Sequence, residues 1–225
     1  MKLGYLIVFV SLILGSKVLH AQDATLPSTT FGVLGGVNYF NLVGDDSDGV
    51  STENDVLLGF QGGVFMRIPI ANQFFIQPGL LYVQKGAKNE SDLVNITYRL
   101  AYAELPVNFL YKAQVGAGSI LLGFGPYVAY GINGKVKAES GGITVEDDIV
   151  FQSDVVVTDP LDNFYAKRFD AGANIFFGYE LSGGLSVQLN AQLGMLDVNP
   201  NDVRILDDKA SIRNTGFSIS LGYGF

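Results

Sequence analysis

Residues 215–225 read TGFSISLGYGF and alternate strictly between two kinds of side chain. Phe217, Ile219, Leu221, Tyr223 and Phe225 occupy every second position, and glycine or serine fills the positions between them. Successive side chains of a β-strand point to opposite faces. One face of this strand is therefore aromatic and aliphatic, and the other is small and polar. The pattern predicts a strand whose large side chains meet an apolar phase.

The same alternation recurs along the chain and predicts eight strands. Each segment is long enough for the roughly 9–11 residues that a tilted strand needs to cross a bilayer. The second, fourth and sixth connections are short, as in bacterial barrels, whose tight turns are periplasmic and whose longer loops are extracellular. We predict an all-β, eight-stranded, antiparallel, up-and-down transmembrane β-barrel with both termini in the periplasm. The segments are 30–40, 57–68, 74–85, 95–111, 120–131, 167–181, 185–195 and 215–225.

The two faces of these strands differ in the way that a membrane barrel requires. The predicted lipid face holds no aspartate or glutamate, and its charges are Arg99 and Lys167, at the predicted outer rim beside lipid phosphates. The opposite face is rich in Gln, Asn, Ser and Gly, which is too polar for a dry core. The alternative is a soluble sandwich or lipocalin-like barrel. That fold should place its apolar side chains inside, so the pattern favours the membrane barrel.

The N-terminus predicts export. Lys2 precedes an apolar run, and Leu19-His20-Ala21 resembles a signal-peptidase site. We therefore predict a secretory signal peptide at residues 1–21 and a barrel domain at residues 22–225. No later segment reaches the roughly 18 continuous apolar residues of a spanning helix. The predicted location is the outer membrane of a Gram-negative cell.

Composition restricts the chemistry that is possible. The chain has no cysteine, and its one histidine, His20, lies in the predicted signal. A Ser-His-Asp triad and a His- or Cys-ligated metal are therefore excluded, and we predict no enzyme activity and no cofactor. The formal net charge is −8, which argues against nucleic acid as a partner.

The inward face carries five ionisable residues, which are Arg67, Lys85, Glu104, Asp170 and Glu180. Eight strands leave an interior just wide enough for side chains to fill, which predicts an interior network of hydrogen bonds and ion pairs. The alternative is a narrow path for ions or small solutes, with Glu104 as its selectivity element. The weak repeat GVLGGV and GFQGGV, with Gly32 and Gly59, is interpreted as close packing inside the barrel and not as a phosphate loop.

The longest polar stretch, residues 133–165, is predicted to be an extracellular loop that contacts partner proteins. Alternating apolar residues around Ile143, Val145 and Val155 predict a hairpin that extends beyond the bilayer. The loop acids could bind Ca²⁺, but their spacing matches no calcium loop, so a solvated acidic loop is favoured. Prolines within strands predict a bulge, an edge or a changed register, because proline cannot donate to a ladder. The acids are Glu146, Asp147, Asp148, Asp154 and Asp159, and the prolines are Pro78, Pro106 and Pro126.

Four segments, FGVLGGVNYFNLVGD, IQPGLLYVQKGAK, YAELPVNFLY and RFDAGANIFFGYEL, resemble the PorT-like outer-membrane β-barrel proteins of Bacteroidetes. YAELP, with Glu104 and Pro106, is the most specific of them. Gly79 departs from the family, because many relatives have glutamate there. The resemblance implies an eight-stranded outer-membrane barrel. PorT itself is tied to a secretion apparatus.

We therefore predict a non-enzymatic barrel with a structural or interaction role, accessory to an envelope or secretion assembly. A narrow channel is the alternative. The predicted partners are outer-membrane lipid, envelope proteins at the extracellular loops, and the barrel-assembly machinery. The alternating residues Phe217 to Phe225 resemble the insertion signal that this machinery recognises.

Overall fold

The computed structural model describes residues 26–52, 54–91, 93–205 and 209–225, so the predicted signal peptide lies outside the described residues. No helix in these ranges is long and apolar enough to cross a membrane. The strands are β1 (Thr30–Asp45), β2 (Asp55–Ala71), β3 (Phe74–Glu90), β4 (Asn95–Val115), β5 (Gly118–Ser140), β6 (Ile143–Phe151), β7 (Asp154–Val155), β8 (Phe164–Ala166), β9 (Phe169–Leu181), β10 (Leu185–Gly194), β11 (Asn201–Asp202) and β12 (Ser211–Gly224).

Eight of these strands close a ring in the described part of the chain. Its order is β1, β2, β3, β4, β5, β9, β10 and β12, and every neighbouring pair is antiparallel. Pairing of β1 with β12 completes the circle, so the ring has no free edge strand. The predicted eight-stranded antiparallel barrel is confirmed.

The connections differ between the two ends of the barrel. One end, called here the short-turn end, carries the connections 72–73, 116–117 and 182–184. The opposite, long-loop end carries β6, β7, β8 and β11. The Phe31 and Phe225 backbones exchange hydrogen bonds of 3.3 and 2.8 Å, so β1 begins and β12 ends at the short-turn end.

The strands continue further at the long-loop end than the sequence predicted. The fifth strand was predicted to end at Gly131, but β5 runs to Ser140 and returns as β6, which gives the predicted hairpin with Ile143 and Val145. Val155 was also assigned to this hairpin, but it lies on β7, which pairs with β11. Its added part still alternates, because Val136 is buried while Lys135 is exposed. The outward residues there are charged, so the apolar signal that defines a lipid-facing strand is lost.

The three strand prolines do not change the register. Pro78 lies opposite Val107, Pro106 opposite Tyr127, and the ladders on either side keep the same offset. The irregularities lie elsewhere, at Val56/Gln61, Pro69/Ala71 and Ala101/Tyr102. The expectation of a bulge, an edge or a changed register at Pro78, Pro106 and Pro126 was therefore wrong. A missing donor removes one ladder bond without inserting the extra residue that a bulge needs.

The outer surface of the ring is an apolar belt. Phe60, Leu189 and Leu221 are more than half exposed, as are many side chains at matching positions on the other strands. Aromatic rings stack across strands near both ends of the belt, as in the pairs Tyr39–Phe217 at 5.2 Å and Phe74–Phe109 at 5.5 Å between centroids. Girdles of this kind flank the lipid-facing band of outer-membrane barrels.

The interior is less polar than predicted. Phe75, Leu110, Leu121 and Phe176 form a buried cluster within the ring at the short-turn end. Towards the long-loop end, a second cluster contains Leu100, Tyr102, Tyr127, Ala129, Val136, Ile149 and Ala166. Each inward apolar residue is next in sequence to an outward apolar one, as in Phe74-Phe75 and Phe176-Phe177. The alternation of apolar and polar residues is therefore not visible in the sequence at these points.

Inward-facing glycines make room for these large side chains. A Cβ atom at Gly32 would lie 2.2 Å from the Phe65 ring, and one at Gly59 would lie 2.5 Å from the Asn38 side-chain oxygen. At Gly123 a Cβ atom would lie 2.1 Å from the Phe176 ring. Close packing, as interpreted for Gly32 and Gly59, is therefore what the structure shows.

Gly123→Ala is expected to lower the free energy of unfolding by about 1–3 kcal/mol, the usual cost of overpacking a well-filled core. The Phe176 ring is held by Phe75, Leu110 and Leu121 and has little room to withdraw. Gly183→Ala is the matched control, because no atom of the described residues, apart from Gly183 and its two chain neighbours, lies within 4 Å of its Cβ position. Urea unfolding of the refolded barrel measures the stability of both variants. Equal stability of the two would contradict close packing of the Phe176 ring against Gly123.

Candidate functional site

The predicted lumen residues form two separate charged groups inside the barrel. The group at the short-turn end contains Arg67, Lys112 and Glu180. Arg67 donates to Glu180, and Lys112 Nζ lies 2.5 Å from Glu180 Oε1. Arg67 Nε also donates to Gln77 Oε1 at 3.0 Å. Arg67 is 2% exposed, so the pair sits within the ring and not at its rim.

The second group, called here the Lys85 cluster, consists of Lys85, Glu104 and Asp170. Lys85 Nζ lies 2.8 Å from Glu104 Oε2 and 3.0 Å from Asp170 Oδ2, and the three side chains are at most 3% exposed. These residues come from β3, β4 and β9, and the curvature of the sheet across β3, β4, β5 and β9 brings them together in the interior. An ammonium shielded from water is strongly attracted to nearby carboxylates.

Aromatic and amide side chains surround the Lys85 cluster. Lys85 Nζ lies 4.2 Å from the centre of the Tyr127 ring and 5.2 Å from that of Phe40, which are cation–π distances. Asn214 donates to Asp170 Oδ2 at 3.0 Å, and Gln192 donates to Glu104 Oε1 at 2.8 Å. The surroundings thus hold the two carboxylates in fixed positions.

The sequence interpretation missed two residues of the interior network, Lys112 in the group at the short-turn end and Asn214 beside the Lys85 cluster. The fourth strand was predicted to end at residue 111, but β4 continues to Val115 and so includes Lys112. Asn214 directly precedes the predicted last strand, which was begun at Thr215. Continuing the alternation backwards by one residue would have placed Asn214 on the inward face.

A cavity of about 40 Å³ lies in the interior. Gln77, which contacts Arg67, and Glu104, which contacts Lys85, both line it, so it lies between the two charged groups. That volume holds a few water molecules, since each water needs roughly 10–15 Å³. The remaining wall includes Gln61, Asn108, Asn174, Gln188, Gln192, Ser218 and Ser220.

The long-loop end carries an ordered surface. The β5–β6 hairpin is joined by an ion pair between Lys135 and Glu146, and β8 adds to β6 in parallel. The pair β7–β11 links the loop after β6 to the loop after β10. Between the hairpin and the ends of the ring strands lies a pocket of about 460 Å³, with Ile96, Tyr98, Leu100, Ile149, Phe164, Val198 and Ile212 in its wall.

The loop acids have protein partners in several cases. Asp154 accepts from Asn201 at 2.9 Å, and Asp159 accepts from Gln152 at 2.6 Å. Across the residues described, no group of three or more His, Cys, Asp or Glu side chains could hold a metal ion. The arrangement gives no support to the calcium alternative.

The two predicted rim cations differ in position. Arg99 is exposed on β4 at the long-loop end. Lys167 was predicted to begin the sixth strand, but β9 begins at Phe169, and Lys167 Nζ lies 3.0 Å from Asp197 Oδ2. Lys167 is therefore part of the loop structure and does not belong to the lipid face.

Acidification is expected to loosen the β5–β6 hairpin. The hydrogen bond and charge of Lys135 lower the pKa of Glu146 below its ordinary value. A carboxylate with a lowered folded-state pKa stabilises the hairpin at pH values above the ordinary glutamate pKa of about 4.3. That contribution is lost as the pH falls through the lowered value. Hydrogen-exchange protection of the β6 amides should fall in this window. It should fall less in Glu146→Gln, where the pair of Lys137 with Glu139, whose pKa is also lowered, still titrates.

An antiparallel ring with an apolar outer belt, aromatic girdles and buried charges inside has the architecture of an outer-membrane β-barrel. Residues 20–198 match the family model described as outer membrane protein beta-barrel domain, so the chain belongs to that family. This membership places the protein in the outer membrane.

Solved structures of similar proteins include Ail, the attachment invasion locus protein of Yersinia pestis. It is 12% identical, with a TM-score of 0.41. Neisserial surface protein A (NspA) is 9% identical, with a TM-score of 0.45. Each comparison covers 88% of this chain and 100% of the other. No curated protein matches the sequence closely enough to count as a relative.

Proposed function

We propose that this protein is a non-enzymatic outer-membrane barrel that acts as a structural or interaction protein, accessory to an envelope or secretion assembly. The observation that carries the proposal is the contrast between its inside and its long-loop end. In the described part of the chain, buried apolar clusters and charged groups pack inside the ring, around a cavity of about 40 Å³. The long-loop end builds extra strands and a pocket of about 460 Å³.

The proposed contact surface is the β5–β6 hairpin together with this pocket. Along residues 143–148, β6 pairs with β5 on one side only, which leaves backbone groups open to another strand. Ile143 is 71% exposed and Val145 54% exposed on the same hairpin. Exposed apolar residues on an open strand edge are suited to binding an extended segment of another protein.

Site-specific photo-crosslinking in native outer membranes tests this role. A photoreactive residue at Val145 should crosslink to one envelope protein in stoichiometric amounts, while the same residue at Gly183 on the short-turn end should not. Affinity purification of the crosslinked species then identifies the partner. A barrel that is recovered alone from both positions would contradict the interaction proposal.

We also propose a narrower family for this chain and an orientation of the barrel in the membrane. We place the chain among the PorT-like barrels of Bacteroidetes, supported by Glu104 of YAELP, which contacts buried Lys85. The signal peptide at residues 1–21 and periplasmic termini accord with both ends of the barrel domain lying at the short-turn end. The alternating face Phe217, Ile219, Leu221, Tyr223 and Phe225, exposed on β12, is the proposed signal for the barrel-assembly machinery.

A narrow ion channel is the second candidate, because polar side chains continue from Arg67 through Gln77 and the cavity to Glu104. Planar-bilayer recording of the refolded protein distinguishes the two. A filled lumen predicts no unitary conductance. A conductance altered by Glu104→Ala, with thermal stability unchanged, would establish the channel instead.

A further inference from the structure

We propose that the interior cavity beside Glu104 is a binding site for one small alkali cation, Na⁺ or K⁺. The site is separate from the proposed contact surface and does not depend on it. Its ligands are oxygen atoms of Glu104, Asn174 and Gln192, which all line the cavity of about 40 Å³. Three observations support it: the charge of the Lys85 cluster, the unpartnered oxygens, and the size of the cavity.

The Lys85 cluster holds two carboxylates and one ammonium, so it carries one excess negative charge. Lys85, Glu104 and Asp170 are at most 3% exposed, so bulk water does not screen this excess. Arg67 and Lys112 outnumber Glu180 in the other group, but the Lys112 side chain is 30% exposed and its charge is hydrated. An uncompensated charge in a protein interior is strongly unfavourable, so a counter-charge close to Glu104 is expected.

The polar part of the cavity wall offers oxygen atoms that are suited to a cation. Asn174 Oδ1 and Gln192 Oε1 are buried and have no hydrogen-bond partner among the residues that the structure describes, and both residues are more than nine-tenths buried. Glu104 Oε2 lies 2.8 Å from Lys85 Nζ, and each carboxylate oxygen has two lone pairs, so it can bind a second group besides the ammonium. Hard cations take carboxylate and amide oxygens as ligands.

The size and charge select the class of cation. The excess charge is one, and the described residues offer no third carboxylate for a divalent ion. About 40 Å³ holds an alkali ion and one or two water molecules, at roughly 10–15 Å³ for each water. Tetramethylammonium is too large for such a space, and its four methyl groups keep oxygen ligands away from the charged nitrogen.

The test is a comparison of chloride salts at constant ionic strength. The protein is refolded in detergent with lithium, sodium, potassium, rubidium or tetramethylammonium chloride, and urea unfolding is followed. A ligand that binds only the folded state raises the midpoint by mass action. We expect a saturable rise with sodium or potassium relative to tetramethylammonium. We also expect an anomalous-scattering peak beside Glu104 in crystals of wild-type protein refolded with thallium(I), a potassium mimic.

Glu104→Gln removes the excess charge while keeping the side-chain shape, so the dependence on sodium or potassium should disappear. Glu146→Gln, on the exposed hairpin, is the control and should keep it. Equal midpoints in all salts for the wild-type protein would overturn the proposal, as would an unchanged cation dependence in Glu104→Gln. An infrared band of a protonated carboxylic acid in wild type, absent from Glu104→Gln, would show that a proton balances the charge instead.

Discussion

Lys85→Met is expected to lower the free energy of unfolding by about 3–5 kcal/mol, the usual cost of removing one partner from a buried ion pair. The variant would leave Glu104 and Asp170 facing each other in the interior without the ammonium that lies 2.8 and 3.0 Å from them. Methionine has a similar length, so little of the loss would come from an empty space. Chemical unfolding of the refolded barrel in detergent measures the change.

Two further variants separate the charge effect from general damage. Adding Glu104→Gln and Asp170→Asn to Lys85→Met removes all three charges and should recover most of the lost stability, because isosteric neutral groups need no counter-charge. Lys135→Met alters a lysine on the exposed hairpin and should leave the unfolding midpoint unchanged. If Lys85→Met behaved like Lys135→Met, the Lys85 cluster would not stabilise the barrel.

Leu189→Arg is expected to reduce the stability of the barrel in lipid by about 2–4 kcal/mol, the cost of an arginine near the bilayer midplane. Leu189 is 54% exposed on the apolar belt, and its ladder neighbours are Phe177 and Ile219. The arginine would have to lie among acyl chains or draw water into the bilayer. Unfolding of the barrel in phospholipid vesicles measures the difference from wild type.

Leu181→Arg is the matched control for this substitution. Leu181 is 50% exposed but ends β9 at the short-turn end, where an arginine costs only about 0–1 kcal/mol. In a membrane the two variants should therefore differ, although both replace an exposed leucine. Equal stability of Leu189→Arg and Leu181→Arg in vesicles would show that the belt is not lipid-facing.

The eight ring strands could be predicted from the sequence, because each strand carries its own alternation of apolar and polar residues. Phe217, Ile219 and Leu221 illustrate this, since each faces outward as predicted. The pairs at the long-loop end could not be predicted in this way. In β7–β11, Asp154 lies beside Asn201, and two-residue strands so far apart in sequence carry no periodic signal.

The interior could be predicted as a set of residues but not as a set of contacts. Alternation places Lys85, Glu104 and Asp170 on the inward face, and the structure has all three there. Which of them meet depends on the stagger of the strands around the ring, because Lys85 and Asp170 are 85 residues apart in the chain. Lys112 was missed because a strand end and a turn have similar polar composition.

Labelling of single cysteines in intact cells tests the central claim, a barrel that spans the outer membrane with its long-loop end outside. The chain has no cysteine, so each variant would hold one thiol in a known place. Thr144→Cys, on the β5–β6 hairpin, should react with a bulky, membrane-impermeant maleimide in intact cells. Ser182→Cys, in the β9–β10 turn, should react only after the outer membrane is permeabilised. Equal labelling at both positions in intact cells, or the reverse order, would contradict this account.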